Sequence, residues 1–158
     1  MAVQNRTENQ GALVDTESAA RITFDINPET IRDSKDTNFA EIQIPGMSHP
    51  RLQFSNGKAR TLSFTLHLHY GATDDVPQAI RTLQSWLYPE YDGERMKKAP
   101  SRLLCVFGDT WSDEKWVLVS CNVNRKRFDK NLVCIYAIVD IELREFIEQS
   151  VDANNFRS

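Results

Sequence analysis

The sequence lacks the features by which secreted, membrane-spanning and phosphate-binding proteins are most readily recognised. Its N-terminal residues contain no apolar run, so we expect no signal peptide and folding in a cytoplasm. No stretch approaches the roughly 20 apolar residues of a membrane span. Glycine-rich phosphate loops, GxSxG, HExxH and EF-hand loops are also missing, so these chemistries have no motif support and we expect no cofactor.

Cysteine and histidine are scarce. The three cysteines match neither a zinc nor a CxxC spacing and each lies in an apolar run, which favours core residues in a reducing compartment. His67 and His69 stand two apart, so both point to one strand face and have a spacing that can bind a metal. A third ligand would require Asp74 or Asp75 to fold back. We therefore favour two polar-face residues and predict neither a metal site nor catalytic residues.

The composition present is that of an ordinary soluble domain. The chain has 158 residues, 41% hydrophobic and 26% charged, enough to bury a core. A net charge of −3 provides no general electrostatic footprint for nucleic acid or an anionic membrane. The polar ends predict a flexible N-terminal arm over residues 1–18 and a C-terminal tail over 149–158, with the folded domain between them at 19–148.

Residues 60–70 show the clearest pattern, a strict alternation that predicts a half-buried strand. Asn56-Gly57, a strong hairpin signal, precedes it and predicts pairing with a short strand around Leu52 and Phe54. The apolar face of the predicted strand comprises Leu62, Phe64, Leu66, Leu68 and Tyr70. Its polar face comprises Thr61, Ser63, Thr65, His67 and His69.

Other strands are predicted at residues 21–26, 39–44, 103–107, 116–123 and 132–146. Polar stretches at 29–38 and 90–100 and a charged linker at 124–131 separate them. An apolar stripe at helical spacing predicts one helix over 74–88, capped by Asp74 or Asp75 and ended by Pro89. About seven strands with one helix indicate a mainly β, α+β fold, an antiparallel sheet or barrel with one packed helix.

Two further features have both a plain and a functional interpretation. Arg125, Lys126 and Arg127 form a basic cluster that is either a solvated turn or a docking point for an acidic surface of a neighbouring subunit. Trp111 lies in a loop, where core and interface positions are equally compatible with the pattern. The final strand has no Pro or Gly to block an open edge, so we expect strand edges to pair between subunits of a closed ring.

A series of short motifs follows these elements in order. Asn27-Pro28 closes the first strand, Ile44-Pro45-Gly46 follows the second, and then come residues 52–57, LQFSNG, and residues 60–64, RTLSF. Together these motifs resemble the tube-protein domain of contractile injection systems. The resemblance extends over roughly residues 21–146, through Val106-Phe107-Gly108 and the turn at residues 128–131.

The resemblance has departures. Phe107 replaces the family's usual Trp, and Asn131 replaces its turn Gly; because Asn tolerates a left-handed backbone, the turn is expected to survive. Many relatives carry a LysM module after this domain, and we expect none here.

The resemblance implies a split β-barrel of the tail-tube type, assembled as a homohexameric ring that joins the inner tube to the hub or spike at the baseplate. Implied partners are other copies of the chain and neighbouring tube, hub and baseplate proteins, with DNA only as passing cargo. The location implied is a virion or injection particle assembled in the bacterial cytoplasm. Thr61, Ser63, Thr65, His67 and His69, with Asp140 and Glu142 of the last strand, are expected to line the lumen or a subunit seam.

Two alternatives remain at this point. Within the same class, the chain is the main inner-tube subunit. From a different class, it is a small β-barrel binding module or a metal-dependent enzyme that uses His67 and His69.

Overall fold

Strands dominate the fold, as the alternation predicts. The structure, a computed structural model, describes residues 10–24, 26–69, 75–108, 110–111, 114–147 and 153–157. The elements are β1 (Ala12–Asp15), β2 (Arg21–Thr23), β3 (Ile31–Ser34), β4 (Thr37–Ile42), β5 (Arg51–Gly57), β6 (Thr61–His69), α1 (Val76–Ser85), β7 (Glu90–Asp92), β8 (Arg95–Lys98), β9 (Leu103–Val106), β10 (Lys115–Phe128), β11 (Cys134–Glu145) and α2 (Ala153–Arg157).

Seven of the described strands form one antiparallel sheet. Its order is β2-β1-β9-β10-β11-β6-β3, while β4–β5 and β7–β8 are separate two-stranded hairpins. The segment from β2 to β3 reaches both edges of the sheet. It pairs with β1 through Arg21–Thr23, bridges His67 of β6 through Ile26, and pairs with β6 again through β3. The sheet therefore curls back on itself, the shape expected of a split barrel.

The core lies inside this curl. Inward-facing side chains of β6 and β11 are opposite one another, with Leu66 beside Val139 and Leu68 beside Ala137. Helix α1 packs its apolar stripe against β10, β11 and β2. Trp116 and Leu83 are fully buried in the same cluster. The mainly β, α+β fold with one packed helix is thus confirmed.

The predicted helix signals are confirmed where the structure describes them. Asp75 caps α1, its carboxylate accepting a hydrogen bond from the Gln78 amide at 3.1 Å, and Pro77 lies in the first turn. Asp74 and Tyr70 lie outside the described residues. Pro45-Gly46 forms a turn in which the Met47 amide donates to the Ile44 carbonyl at 3.2 Å and Gly46 has φ +88, the type II pattern.

The prediction of a flexible N-terminal arm over residues 1–18 is wrong at residues 12–15. Ala12–Asp15 form β1, which pairs with β2 on one side and β9 on the other, and Leu13 is fully buried. Asp15 tolerates its burial because its carboxylate accepts hydrogen bonds from the Glu17 amide at 2.8 Å and the Ser18 hydroxyl at 2.7 Å. Residues 1–9 lie outside the described residues, as do 148–152 of the C-terminal end.

The predicted hairpin at Asn56-Gly57 is wrong. Both residues lie within β5 without positive φ, and β5 pairs with β4 rather than with β6. The side-chain oxygen of Asn56 accepts a hydrogen bond from the side-chain amide of Asn38 at 2.9 Å, which adds a cross-strand contact between β5 and β4. The turn at Pro45-Gly46 lies in the connection that joins β4 to β5.

Three stretches interpreted as irregular contain strand. Residues 29–38 include β3 and the start of β4, residues 90–100 form the β7–β8 hairpin, and β10 runs through residues 124–128 of the charged linker. Their polarity reflects exposure rather than irregular structure. The final strand is also not an edge, since β11 lies between β10 and β6.

The turn after β10 forms, but the residue with the left-handed backbone is not the one predicted. The Asp129 carboxylate accepts hydrogen bonds from the amides of Asn131 at 2.8 Å and Val133 at 3.0 Å. The left-handed position is Leu132, with φ +62, and not Asn131. The glycine-like role expected of Asn131 is therefore wrong.

Candidate assembly surfaces

The polar face of β6 and β11 forms a continuous surface. The register places Asp140 beside Thr65 and Glu142 beside Ser63, and the Thr65 hydroxyl donates to the Asp140 carboxylate at 2.8 Å. Thr61 continues the same row beside Arg144. A shallow groove of about 790 Å³ runs over this face below the segment of residues 26–30. The predicted lumen residues are thus brought together on one surface. Asp140 and Glu142 share this surface with Arg144, beside Thr61, and Arg32, beside Ser63.

His67 and His69 lie at one end of this surface and share Tyr136 as their neighbour. His67 Nδ1 and the Tyr136 hydroxyl are 2.8 Å apart, and the His69 ring contacts the edge of the same tyrosine at a centroid distance of 5.6 Å. Among the described residues no group of three or more His, Cys, Asp or Glu side chains is placed to hold a metal ion. This arrangement is a hydrogen-bonded aromatic cluster on a sheet face.

The basic cluster lies on a strand and not in a turn. Arg125, Lys126 and Arg127 are all exposed at the far end of β10, where β10 pairs with β11. The register slips by one residue here, since Arg125 lies opposite Ala137 and Arg127 lies opposite Tyr136, so the two arginines lie on opposite faces of the strand. The cluster therefore borders both faces of the sheet.

The sequence left core and interface positions open for Trp111, and the structure places it in the core. Only 7% of the residue is exposed, its ring lies 6.3 Å from that of Phe107, and its indole N–H donates to Asp33 at 3.4 Å. In the isolated chain this tryptophan is a packing residue rather than an exposed anchor.

The β4–β5 hairpin projects from the body and has several exposed apolar side chains. Every side chain of β5 is exposed, and the two strands have their main contacts with each other. Phe39 and Phe54 are paired across the strands with ring centroids 5.8 Å apart, yet both are more than half exposed. Leu52 shares their face, and Met47 lies exposed at the tip. Contiguous exposed apolar surface of this kind marks an interaction site.

Comparison with known proteins agrees with this geometry. A model of the family described as contractile injection system tube protein matches residues 3–154. The chain belongs to this family. No curated protein matched the chain in a separate sequence comparison. The family is one of structural tube proteins, so the tube role implied by the sequence motifs is confirmed.

None of the helices in the described part of this tube protein is long and apolar enough to cross a membrane.

Sequence reasoning missed one cluster in this tube protein, centred on Arg60. The guanidinium binds Asp33 through two nitrogens at 2.8 and 2.5 Å, and Glu114 through a third at 2.9 and 3.0 Å. Glu145 lies 3.7 Å away, and the guanidinium also stands over the Trp116 ring at 5.8 Å. The side chain of Arg60 is only 14% exposed.

The pKa values follow from this geometry. The hydrogen bonds from Arg60 hold the pKa of Asp33 below its usual value, while burial and the neighbouring Glu114 raise the pKa of Glu145. No spacing in the sequence signals the cluster, because its carboxylates come from β3, the loop before β10 and the end of β11.

Proposed function

We propose that this tube protein is a ring-forming structural subunit at the baseplate end of the inner tube, where a homohexameric ring joins the tube to the hub or spike. The protein acts through its surfaces and has no enzymatic activity. Membership of the tube-protein family supports the structural role. The position at the tube end rests on what the resemblance of its motifs implies, a ring that joins the inner tube to the hub or spike.

The projecting hairpin is the observation that carries the proposal. A two-stranded hairpin alone in water is marginally stable, and this one exposes Phe39, Leu52 and Phe54 on one face. A second copy of the chain covers this face in the ring. In the proposed hexamer this face meets a different surface of the neighbouring copy, a heterologous contact, and six such contacts close the ring.

Open strand edges provide the second contact. Within the described residues, β9 pairs with β10 only at Lys115 and Trp116, so residues 117–128 of β10 are paired on one side, with β11. Unpaired N–H and C=O groups along such a length pair readily with another chain. A neighbouring subunit satisfies them, and the basic cluster Arg125–Lys126–Arg127 at the end of this edge docks on an acidic surface of that neighbour.

The polar face of β6 and β11 lines the lumen. Thr61, Ser63 and Thr65 are neutral, and Asp140 and Glu142 offset Arg32 and Arg144 on the same face, so the surface has no excess of positive charge that would hold phosphate. Coordinates of an assembled particle test this assignment directly. Finding these side chains directed at bulk solvent outside the ring would overturn it.

Counting copies per particle tests the location. We expect one ring's complement of this chain at the tube end, visible in averaged electron micrographs of purified particles as a ring with a central hole. A copy number that grows with tube length would identify the main tube subunit instead. Isolated monomers on the particle surface, without contacts between copies, would overturn the ring itself.

A further inference from the structure

The projecting hairpin has few means of holding its direction. Its strands have their main contacts with each other, and every residue of β5 is exposed, so little packing against the body restrains it. The connection to the body is confined to its base, where the chain leaves β3 and enters β6. A rigid hairpin therefore requires a strong cross-link between these two chain segments.

The Arg60 cluster lies at this base. Asp33 belongs to β3, just before the hairpin begins, and Arg60 lies just after β5, before β6 starts. The paired hydrogen bonds between them join the entering segment to the leaving one in a planar, two-point geometry. Close by, the Lys58 amide donates to the Asp36 carbonyl at 2.9 Å, and the Lys35 ammonium contacts the Lys58 carbonyl.

The third guanidinium nitrogen of Arg60, Nη1, is directed towards the body. It binds both oxygens of Glu114, and the Arg60 carbonyl accepts a hydrogen bond from the Glu145 amide at 2.9 Å. The Trp116 ring, fully buried, supports the guanidinium from below. Arg60 thus contacts the body through Glu114 and Trp116, while its two-point pairing with Asp33 joins the two hairpin segments to each other.

We propose that Arg60 is the positioning residue of the assembly hairpin, and that its fork to Asp33 sets the direction in which Phe39, Leu52 and Phe54 are presented to the neighbouring subunit. The role of this direction in assembly rests on the proposed ring function. A lysine does not replace Arg60, because its ammonium lacks the planar fork that holds two partners at once. Hydrogen bonding from Arg60 keeps the pKa of Asp33 low, so the carboxylate is charged and the fork is closed at neutral pH.

The test measures the hairpin direction in the isolated full-length chain. Spin labels are attached at Ser48→Cys near the hairpin tip and at Arg81→Cys on the exposed side of α1, in a Cys121→Ser background, and the distance distribution is recorded by pulsed electron resonance. With Arg60 intact we expect one narrow distribution. Asp33→Asn and Arg60→Lys are expected to broaden it, with an unchanged circular dichroism spectrum.

Glu114→Gln is the matched control. It removes the charge and one acceptor oxygen from another partner of the same guanidinium, yet Glu114 lies in neither hairpin segment. A distribution that stays narrow in Asp33→Asn would overturn the proposal. Equal broadening in Asp33→Asn and Glu114→Gln would also overturn it, because general loosening of the cluster would then explain the effect. Since the measurement needs no ring, its failure leaves the proposed assembly role intact, and failure of that role leaves the positioning of the hairpin measurable.

Discussion

Strands β5 and β6 both contain apolar residues, yet these residues have opposite surroundings. In β6, Leu62, Phe64, Leu66 and Leu68 are buried in strict alternation, whereas in β5 no residue is buried at all. The difference lies in what covers each face. β6 lies in the seven-stranded sheet and faces the core built with α1, while the β4–β5 hairpin has no such layer above it. Apolar residues in a strand therefore predict a covered face, but the covering layer belongs either to the same chain or to another.

A charged residue separates the two situations most strongly. Leu66 is 1% exposed in the body, so Leu66→Asp buries a carboxylate without a partner, which costs several kcal/mol and is expected to unfold the domain. Leu52, 62% exposed in the hairpin, is the matched site, and Leu52→Asp is expected to leave the folded monomer intact. Thermal unfolding followed by circular dichroism checks both. A soluble Leu66→Asp protein with an unchanged melting temperature would refute the assignment of this face to the core.

Assembly is expected to respond in the reverse way. Phe54→Ser is expected to cost the monomer at most about 1 kcal/mol, the value of a cross-strand aromatic pair, because Phe54 contacts Phe39 but is 59% exposed. Ring formation or incorporation into particles is expected to weaken at least about tenfold, since exposed aromatic residues at interfaces contribute disproportionately to binding. Gln53→Ser, on the opposite face of the same strand, is the control. Normal incorporation of Phe54→Ser would show that this face is not the contact.

The turns of the two hairpins offer a smaller contrast. The projecting hairpin has Gly46 at its left-handed position, with φ +88, whereas the turn between β10 and β11 has Leu132 there, with φ +62. Leu132 is 82% exposed, so its side chain contributes little packing. Leu132→Gly is expected to stabilise the protein by up to about 1 kcal/mol through relief of backbone strain, partly offset by the greater freedom of glycine in the unfolded chain. Chemical denaturation measures the change, and a clear loss of stability would contradict it.

The pH dependence of the hairpin base is expected to be the smallest effect. The folded pKa of Asp33 is depressed, so its ion pair stabilises the fold above the unfolded pKa and is lost as pH falls through the folded one. Asp33→Asn is therefore expected to destabilise by at most about 1 kcal/mol at neutral pH, with the difference vanishing in strong acid.

Glu145→Gln is the counterpart within the same cluster. The pKa of Glu145 is raised, chiefly by burial, so its charged form is disfavoured and the substitution is expected to be neutral or stabilising at neutral pH. Melting temperatures of both variants at acidic and neutral pH distinguish the loss of stability expected for Asp33→Asn from the neutral or stabilising effect expected for Glu145→Gln. A Glu145→Gln protein that loses as much stability as Asp33→Asn would contradict the assignment.

Much of the fold was predictable because its signals are local. The alternation in β6, the Asp75 cap of α1 and the turn at Pro45-Gly46 each depend on neighbouring residues and backbone geometry. Predictions failed where pairing partners decided the outcome. Asn56-Gly57 has the composition of a turn, yet β4 provides partners for both residues and the strand continues through them. β1 was interpreted as arm because its burial depends on β9, which lies far along the chain.

The candidate surfaces divide in the same way. The sequence by itself determined the polar face of β6, the basic character of residues 125–127 and the motifs that match the tube-protein family. Only the tertiary structure decided that Trp111 packs inside, that the hairpin projects without cover, and that Arg60 meets carboxylates from three separate segments. The physical reason is range. Side-chain alternation and capping act over a few residues, whereas burial and ion pairing depend on which distant segments the fold brings together.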